Sequence, residues 1–590
     1  MKKHDSGAET VIKLMFRLLP VQILVAVVGQ INGLVSSFFA SNYVGTSAMG
    51  AVGLYGPINM LLNALGVMLS GGSAILCGKY MGRNDQDKVR NVFSLNMAFA
   101  GIIACVFTAL FLVLGTLNLT GFFTQDEVVR PLFNAYLIGQ AIGVLPFMLG
   151  NQLPVYLSLE NKQNRTMMAS LIYIGVNILL NFVFVQLLHL QALGLALASS
   201  LGMWVFMGVQ ALYFLTGKSK IKLQWKRVSW REGGEILRTG FSGAAAQGYQ
   251  TARGIIVNKL LETVVGSVGI SAFATANTFL GIFWAIPTGM LAVSRLMISI
   301  SAGEEDMQTL EDVLRNMLRR FVPIMSGISL LIILCAKPFT QLFYQDSSDP
   351  VYMMTVWGFR LLPLCMPLAI ICVHFVCYGQ AMGQQGLVHF VSLIDGLVCV
   401  AGFTALLIRP LGIIGVYTAN ILNGIVCVLV VVVYAWMKKK RFPLSVADLM
   451  VSPEGFGAGP DERIDIYVRS MEEVVTVSSN VSDFCRRRGI DERRTYLAGL
   501  CMEEMAGNIV AHGFTKDQKK HLIDIRVVNK NDDLIMRIRD DCIPFNPKER
   551  NDLTESGDPF RNMGIKMVYK VAQDVTYQSV LGLNVLTIKI

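Results

Sequence analysis

A chain of 590 residues that is 53% hydrophobic, only 16% charged and of mean hydropathy +0.51 is too apolar to be soluble throughout. Its net charge of +10 is scattered over short polar intervals, which excludes nucleic acid as the partner and suits contact with anionic lipid. The 11 cysteines show no Cys-x-x-Cys and no His/Cys spacing fit for zinc, and most lie inside apolar runs as small buried hydrophobes.

Lys2 and Lys3 precede a long apolar run that has no Ala-x-Ala-type cleavage site, so the run reads as a membrane helix and not a removable signal. Segments able to span a hydrocarbon core of about 30 Å are expected near 16–41, 49–76, 92–116, 131–157, 166–188, 193–216, 240–265, 270–298, 318–337, 351–379, 387–408 and 413–437. Six precede and six follow the basic interval Gly217–Arg238, GKSKIKLQWKRVSWREGGEILR. The expected units are a first bundle over 1–216, a cytoplasmic linker over 217–239 and a second bundle over 240–441. A further linker over 442–461, broken by Pro443, Pro453 and Pro460, leads to a soluble domain over 462–590.

The second set repeats the first. Gly45 returns as Gly266, Gly82 as Gly303, Pro146 as Pro367 and Gly194 as Gly415, each 221 residues on by subtraction. Local contexts recur too: GRNDQDKVRNVF becomes GEEDMQTLEDVL, and FFTQD becomes LFYQD. With a cytoplasmic N-terminus most loop Lys and Arg, including the tail KKKR at 438–441, fall inside. Arg130, Lys337 and Arg409 fall outside. Both termini are therefore expected in the cytoplasm of a multi-pass inner-membrane protein. Its two six-helix halves are parallel repeats with a substrate path between them.

Polar groups inside the spans are the candidate path. Asn177 and Asn181 are four apart and face one side of a helix, either offering carbonyl oxygens to a cation or bonding to neighbouring helices. Asp395, Arg253 and Arg360 fall near mid-depth, where a charge must find a partner. Asp395 is either one end of a structural bridge to these arginines or a substrate and coupling site.

The passage YVGTSAMGAVGL, then VNILLNFVFV and LGLALASSLG, in that order over about 15–437, resembles the MATE (multidrug and toxic compound extrusion) family of the wider multidrug/oligosaccharidyl-lipid/polysaccharide exporter group. The resemblance implies export of amphipathic organic compounds in exchange for Na⁺ or H⁺ by two bundles that alternate their access. Two positions depart from it. Ser36 stands where many relatives carry an acid in helix 1, and Asn181 stands where they carry Asp.

In the soluble domain, RIDIYV alternates like a strand, 471–488 and 496–514 have helical spacing, and 523–528 and 534–539 form a hairpin over NKNDD. A helix over 564–573 and strands at 575–577 and 584–590 complete an expected α/β sandwich, one mixed sheet with helices on one face. In CMEEMAGNIVAHG, Glu504, Asn508 and His512 form one stripe of a helix, where a carboxylate and an amide one turn apart can serve as base and Mg²⁺ ligand. RDDCIPFNP places Asp540 directly after a strand, and RNMGIKMV places Gly564 at a helix start suited to phosphate. Together these clusters resemble the GHKL (histidine-kinase-like) ATP-binding domain, most closely its anti-sigma-factor serine/threonine kinase branch. The resemblance makes Glu504 the base, Asn508 the Mg²⁺ ligand and Asp540 the reader of adenine. It implies ATP and Mg²⁺ as cofactors and an anti-sigma-antagonist-like cytosolic protein as partner. Cys542 and Asn562 stand where relatives have glycines. The chain has no GxxxxGK[ST] loop, so ATP is not expected to power transport directly. Two functions compete: an exporter regulated by its ATPase domain, and a degenerate transporter that acts as receptor for a serine kinase.

Overall fold

The computed structural model describes residues 11–27, 39, 43, 46–124, 126–217, 219–224, 229–514, 521–530, 532–544, 546–547 and 563–590. Ser36 and Asn562 lie outside them. The first set of helices comprises α1 (11–27), α2 (Thr46–Gly82), α3 (Gln86–Thr116), α4 (Val129–Leu159), α5 (Gln163–Leu187) and α6 (Gln191–Leu215). The second comprises α7 (Trp230–Val264), α8 (Ser267–Gly303), α9 (Met307–Leu334), α10 (Pro350–Ala381), α11 (Gln385–Leu411) and α12 (Ile413–Lys439).

Among the described residues ten helices are long and apolar enough to cross a membrane. The other two, α1 and α7, stand where spans one and seven are expected. α7 is diluted by Arg231, Glu232, Glu235 and Arg238 in its first turns and by Arg253, Lys259 and Glu262 later. Several helices outrun the predicted spans, because hydropathy marks only the part of a helix that fits in lipid. On α3, Ile102, Val106, Leu110 and Val113 form an exposed apolar stripe, which water would penalise and lipid does not.

The repeat is written in the backbone. Asn84 and Glu305, 221 apart by subtraction, both take a left-handed φ, and so do Gln191 and Gly412 at the same offset. Asp85 caps α3 by accepting from the Lys88 N–H. Its counterpart Asp306 caps α9 by accepting from the Thr309 N–H. Where the two sets meet beside the soluble domain, backbones touch. A Cβ on Gly82 would strike the Ile300 carbonyl, one on Gly303 the Lys79 carbonyl, and one on Gly240 the Met68 carbonyl. Farther along, Gly53 and Gly56 of α2 and Gly248 and Gly254 of α7 would meet nothing within 4 Å.

The soluble domain runs β1 (Arg463–Val468), α13 (Met471–Arg487), α14 (Glu492–Gly513), β2 (Ile523–Lys530), β3 (Asp533–Asp540), α15 (Met563–Val571), β4 (Asp574–Val580) and β5 (Leu583–Lys589). The strand order is β1-β2-β3-β5-β4, and every pairing is antiparallel. The expected mixed sheet is corrected by the crossovers. Two helices between β1 and β2 reverse the chain twice, and β5 separates β3 from its parallel relative β4. The period of two sorts the sheet's faces. Ile523, Ile525, Val527, Met536 and Ile538 pack under α13, α14 and α15, while Asp524, Arg526, Arg537 and Arg539 point the other way, toward the membrane helices.

Candidate functional site

Two regions hold the chemistry. In the soluble domain, α14 starts under the Asp491 cap and buries Met502, Met505, Ala506 and Val510 against the sheet. That packing turns Asn508 and His512 into a cleft with Asp540, Cys542, Tyr577 and Asn584. Asp540 ends β3 and is buried. Its Oδ1 accepts from the Cys542 backbone N–H at 3.0 Å and from Asn584 Nδ2 at 2.7 Å. Asn584 in turn accepts from the Tyr577 hydroxyl at 2.9 Å. Burial pushes the Asp540 carboxyl above the usual carboxylate range, and the hydrogen bonds from Asn584 and Cys542 pull partly against it. Ile543 and Pro547 line the same cleft.

Glu504 lies one turn before Asn508, and its carboxylate rests against Gly564 at the start of α15. An ideal Cβ on Gly564 would stand 2.8 Å from Glu504 Cδ. An added methyl would push that carboxylate aside at little cost in stability, because it is the free end of a flexible side chain. Cys542 is not among the described residues with left-handed φ, so the position makes no demand for glycine. Its thiol fills space beside Gly513, where a Cβ would stand 3.0 Å from Sγ. The structure thus brings Asn508 and Asp540 into one cleft and sets Glu504 against Gly564 beside it. Local pattern did not single out Asn584 and Tyr577; the only signal was an amide opening an otherwise apolar strand.

In the membrane region, Asp395 sits in a π-helical turn, Ile394–Val398, that interrupts α11. Such turns are frequent at functional sites. Its Oδ1 accepts from Asn423 Nδ2 of α12 at 2.8 Å, with the Cys427 thiol at 3.8 Å. Arg253 reaches the Asp395 backbone carbonyl at 3.4 Å, not the carboxylate, and Arg360 stacks on Trp357 at 5.3 Å. Among the described residues neither arginine forms an ion pair with Asp395. Asn423 and Cys427, one turn apart on α12, are partners that the charge pattern did not reveal.

In the first set, Asn177 and Asn181 are both fully buried, and Asn181 Nδ2 donates to the Asn177 backbone and side-chain oxygens at 2.9 Å each. Asn177 Nδ2 and Asn181 Oδ1 have no hydrogen-bond partner among the described residues. Near them, Tyr173 lines a cavity of about 430 Å³ with Asn63, Ser70, Asn151, Ser170 and Phe147, and no charged residue lines it among the described residues.

The MatE family model matches residues 22–183, and the model for the histidine kinase-like ATPase domain matches 468–590. No curated protein matches the chain. Among solved structures, MATE in complex with MaL6 aligns with a TM-score of 0.67 at 21% identity, over 75% of this chain and 99% of that one. An outward-facing multidrug resistance MATE family transporter of the MOP superfamily gives 0.67 at 20% identity, over 75% and 98%. A MOP superfamily transporter from Pyrococcus furiosus, described as having a binding pocket of reverse polarity that suggests a different function, gives 0.66 at 20% identity, over 76% and 99%. At such identities the likeness speaks for the fold. The chain is thus a multi-pass membrane protein in which a MatE domain with the MATE transporter fold is joined to a C-terminal histidine kinase-like ATPase domain, a module that implies nucleotide binding, typically with Mg²⁺.

Proposed function

We propose that the chain is a secondary exporter of amphipathic organic compounds, coupled to Na⁺ or H⁺, with both termini in the cytoplasm and an ATPase domain that regulates transport without powering it. The observation that carries this reading is Asp395, a carboxylate held by Asn423 at a break in a membrane helix, with Arg253 bonded to its backbone carbonyl and no ion pair to the carboxylate among the described residues. A carboxylate so placed can exchange a proton or a cation. The first set offers amides at Asn177 and Asn181 and a cavity with no charged residue among its described lining, which supports ion coupling in the second set. Reconstituted protein should move ethidium, an amphipathic organic cation, down an imposed Na⁺ or proton gradient, and flux that follows neither gradient refutes the coupling.

The ATPase domain is expected to bind Mg·ATP, with Asp540 accepting from the adenine amine and Asn508 holding Mg²⁺. Asp540→Asn should weaken binding by about tenfold to a hundredfold, the worth of a buried hydrogen bond to a charged acceptor. Isothermal titration of the full chain reads this directly. Because burial raises the Asp540 pKa, affinity should decline on acidification before an exposed aspartate would titrate.

A second reading has its own support: among the described residues Asn181 bonds to Asn177 and not to a carboxylate, and Glu504 is placed against Gly564. In that reading the helices are a receptor, and Glu504 is the base that activates a serine on an anti-sigma-antagonist-like protein. Glu504→Gln should then keep ATP affinity and lose phosphoryl transfer by about 10²–10⁴-fold. Gly564→Ala should mimic it with little change in thermal stability, and Asn508→Ala should lose both binding and transfer. Phosphate transfer from ATP to such a protein, followed by mass spectrometry, tests it.

A further inference from the structure

An antiparallel sheet covered by helices on one face ordinarily turns its other face to water. Here that face is occupied by the chain's own helix ends, through charges that are almost fully buried. Glu304 joins Arg537 at 2.6 Å and also pairs with Arg539. Asp306 joins Arg539 at 3.3 Å and also pairs with Arg526. The side chains of Glu304 and Asp306 are 3% and 0% exposed, and that of Arg526 is 8% exposed. At the edge of the cluster Lys530 reaches Glu305 at 3.4 Å. Asp306 also caps α9, with Oδ1 accepting from the Thr309 N–H at 2.9 Å and Oδ2 from its hydroxyl at 2.7 Å, so it cannot swing away from the arginines.

The same sheet holds the other half of the repeat. Gln578 of β4 donates to the Met81 carbonyl at 2.8 Å and accepts from Gln86 Nε2 at 3.0 Å. The two-residue turn Leu581–Gly582, both left-handed, enters between α1 and the end of α4. Arg17 donates to the Leu581 carbonyl at 2.6 Å, and the Leu581 N–H lies 3.4 Å from the Leu159 carbonyl. Asn84–Gln86 and Glu305–Met307 are repeat-equivalent loops, and the sheet lies across both where α2 meets α8 backbone to backbone.

We propose that the arginine-bearing face of the ATPase-domain sheet is a docking surface for the transporter's own cytoplasmic rim, and that docking clamps the two helix sets shut at that end. Gln578 and the arginines belong to one hydrogen-bonded sheet, so they keep a fixed spacing. Moving the α2–α3 loop away from the α8–α9 loop breaks one set of bonds or the other. The cytoplasmic mouth therefore opens only when the domain lifts off. Nucleotide has a direct route to the clamp, because Asp540 ends the strand that carries Arg537 and Arg539, and Tyr577 precedes Gln578. The consequence for transport rests on the exporter reading, whereas the clamp itself is tested without any transport measurement.

Hydrogen exchange of the full chain in lipid nanodiscs decides it. Arg537→Glu and Glu304→Arg should each speed exchange about tenfold or more at the hairpin 577–583 and at the helix ends 74–82 and 296–303. Exchange over 492–513 should be unchanged, reporting an intact domain. The combination of the two substitutions restores an opposite-charge pair and should return exchange toward wild type, which a folding defect would not. Faster exchange at 577–583 with unchanged 74–82 and 296–303 would overturn the clamp, since the domain would have left without loosening the helices. No change at 577–583 in either single variant would overturn it as well, since the ion cluster would not be holding the domain.

Discussion

Asp395→Asn is expected to reduce gradient-driven efflux by about two orders of magnitude, the scale of losing a group that carries a proton in the working cycle. Folding should survive. The amide is nearly the same shape as the carboxylate, and its oxygen can still accept from Asn423 Nδ2, which the native Oδ1 does at 2.8 Å. No arginine ion pair is broken, because Arg253 binds the backbone carbonyl and Arg360 stacks on Trp357. Arg253→Ala and Arg360→Ala should accordingly not rescue the variant. Normal efflux with normal ion dependence in Asp395→Asn would remove the residue from the coupling path. Loss of folded protein, rescued by replacing Arg253, would mean that the carboxylate balances a buried charge.

The second large effect is expected at Asp306. Its carboxyl is fully buried, yet its pKa lies well below the usual carboxylate range. Burial opposes ionisation, and Arg526, Arg539 and Arg537 together overcome it. Asp306→Ala removes one carboxylate from the buried ion cluster, a loss of at most about 3–5 kcal/mol, the cost of leaving a buried partner bare, because Arg526 keeps Asp465 and both Arg537 and Arg539 keep Glu304. It also removes the α9 cap, worth about 1 kcal/mol. Asp306→Ser keeps a capping oxygen but still takes a negative charge away from Arg526 and Arg539, so it should loosen the domain nearly as much as Asp306→Ala. Limited trypsin digestion reads the result, as faster cutting around Arg441–Arg463. The sign of the pH effect follows from the depressed pKa. Docking is stabilised throughout the neutral range and is lost only as acid carries the pH below the ordinary carboxylate value toward the folded one. Because the cluster is buried, added salt should weaken it little.

The sequence revealed what depends on periodicity and composition. The 221-residue offset aligned GRNDQDKVRNVF with GEEDMQTLEDVL, where Asp85 and Asp306 cap equivalent helices, and the apolar runs marked the ten described helices able to cross a membrane. Alternation in 523–528 and 534–539 marked a two-faced hairpin, and the stripe through Asn508 pointed into the same cleft as Asp540. What stayed hidden depends on pairing across long stretches of chain. Arg526, Arg537 and Arg539 read locally as a solvated strand face, and nothing near them names Glu304 or Asp306, more than two hundred residues earlier. The neighbours of Asp395 were hidden for the same reason. Charge suggested arginines, but helix packing supplied Asn423 and Cys427. Direction in the sheet was misjudged because adjacency, unlike strand identity, is decided by the route of the crossovers.

In the exporter reading, ion gradients drive transport and the ATPase domain governs its rate. Proteoliposomes holding the full chain, loaded with ethidium and given a Na⁺ or proton gradient, test both parts when Mg·ATP or a non-hydrolysable analogue is supplied on the face bearing the ATPase domain. Efflux should require the gradient, proceed without ATP hydrolysis, change rate when either nucleotide binds, and lose that nucleotide response in Asp540→Asn. Efflux absent under both gradients, in protein that binds Mg·ATP and transfers its phosphate to a serine, would contradict the account and make the helices a receptor.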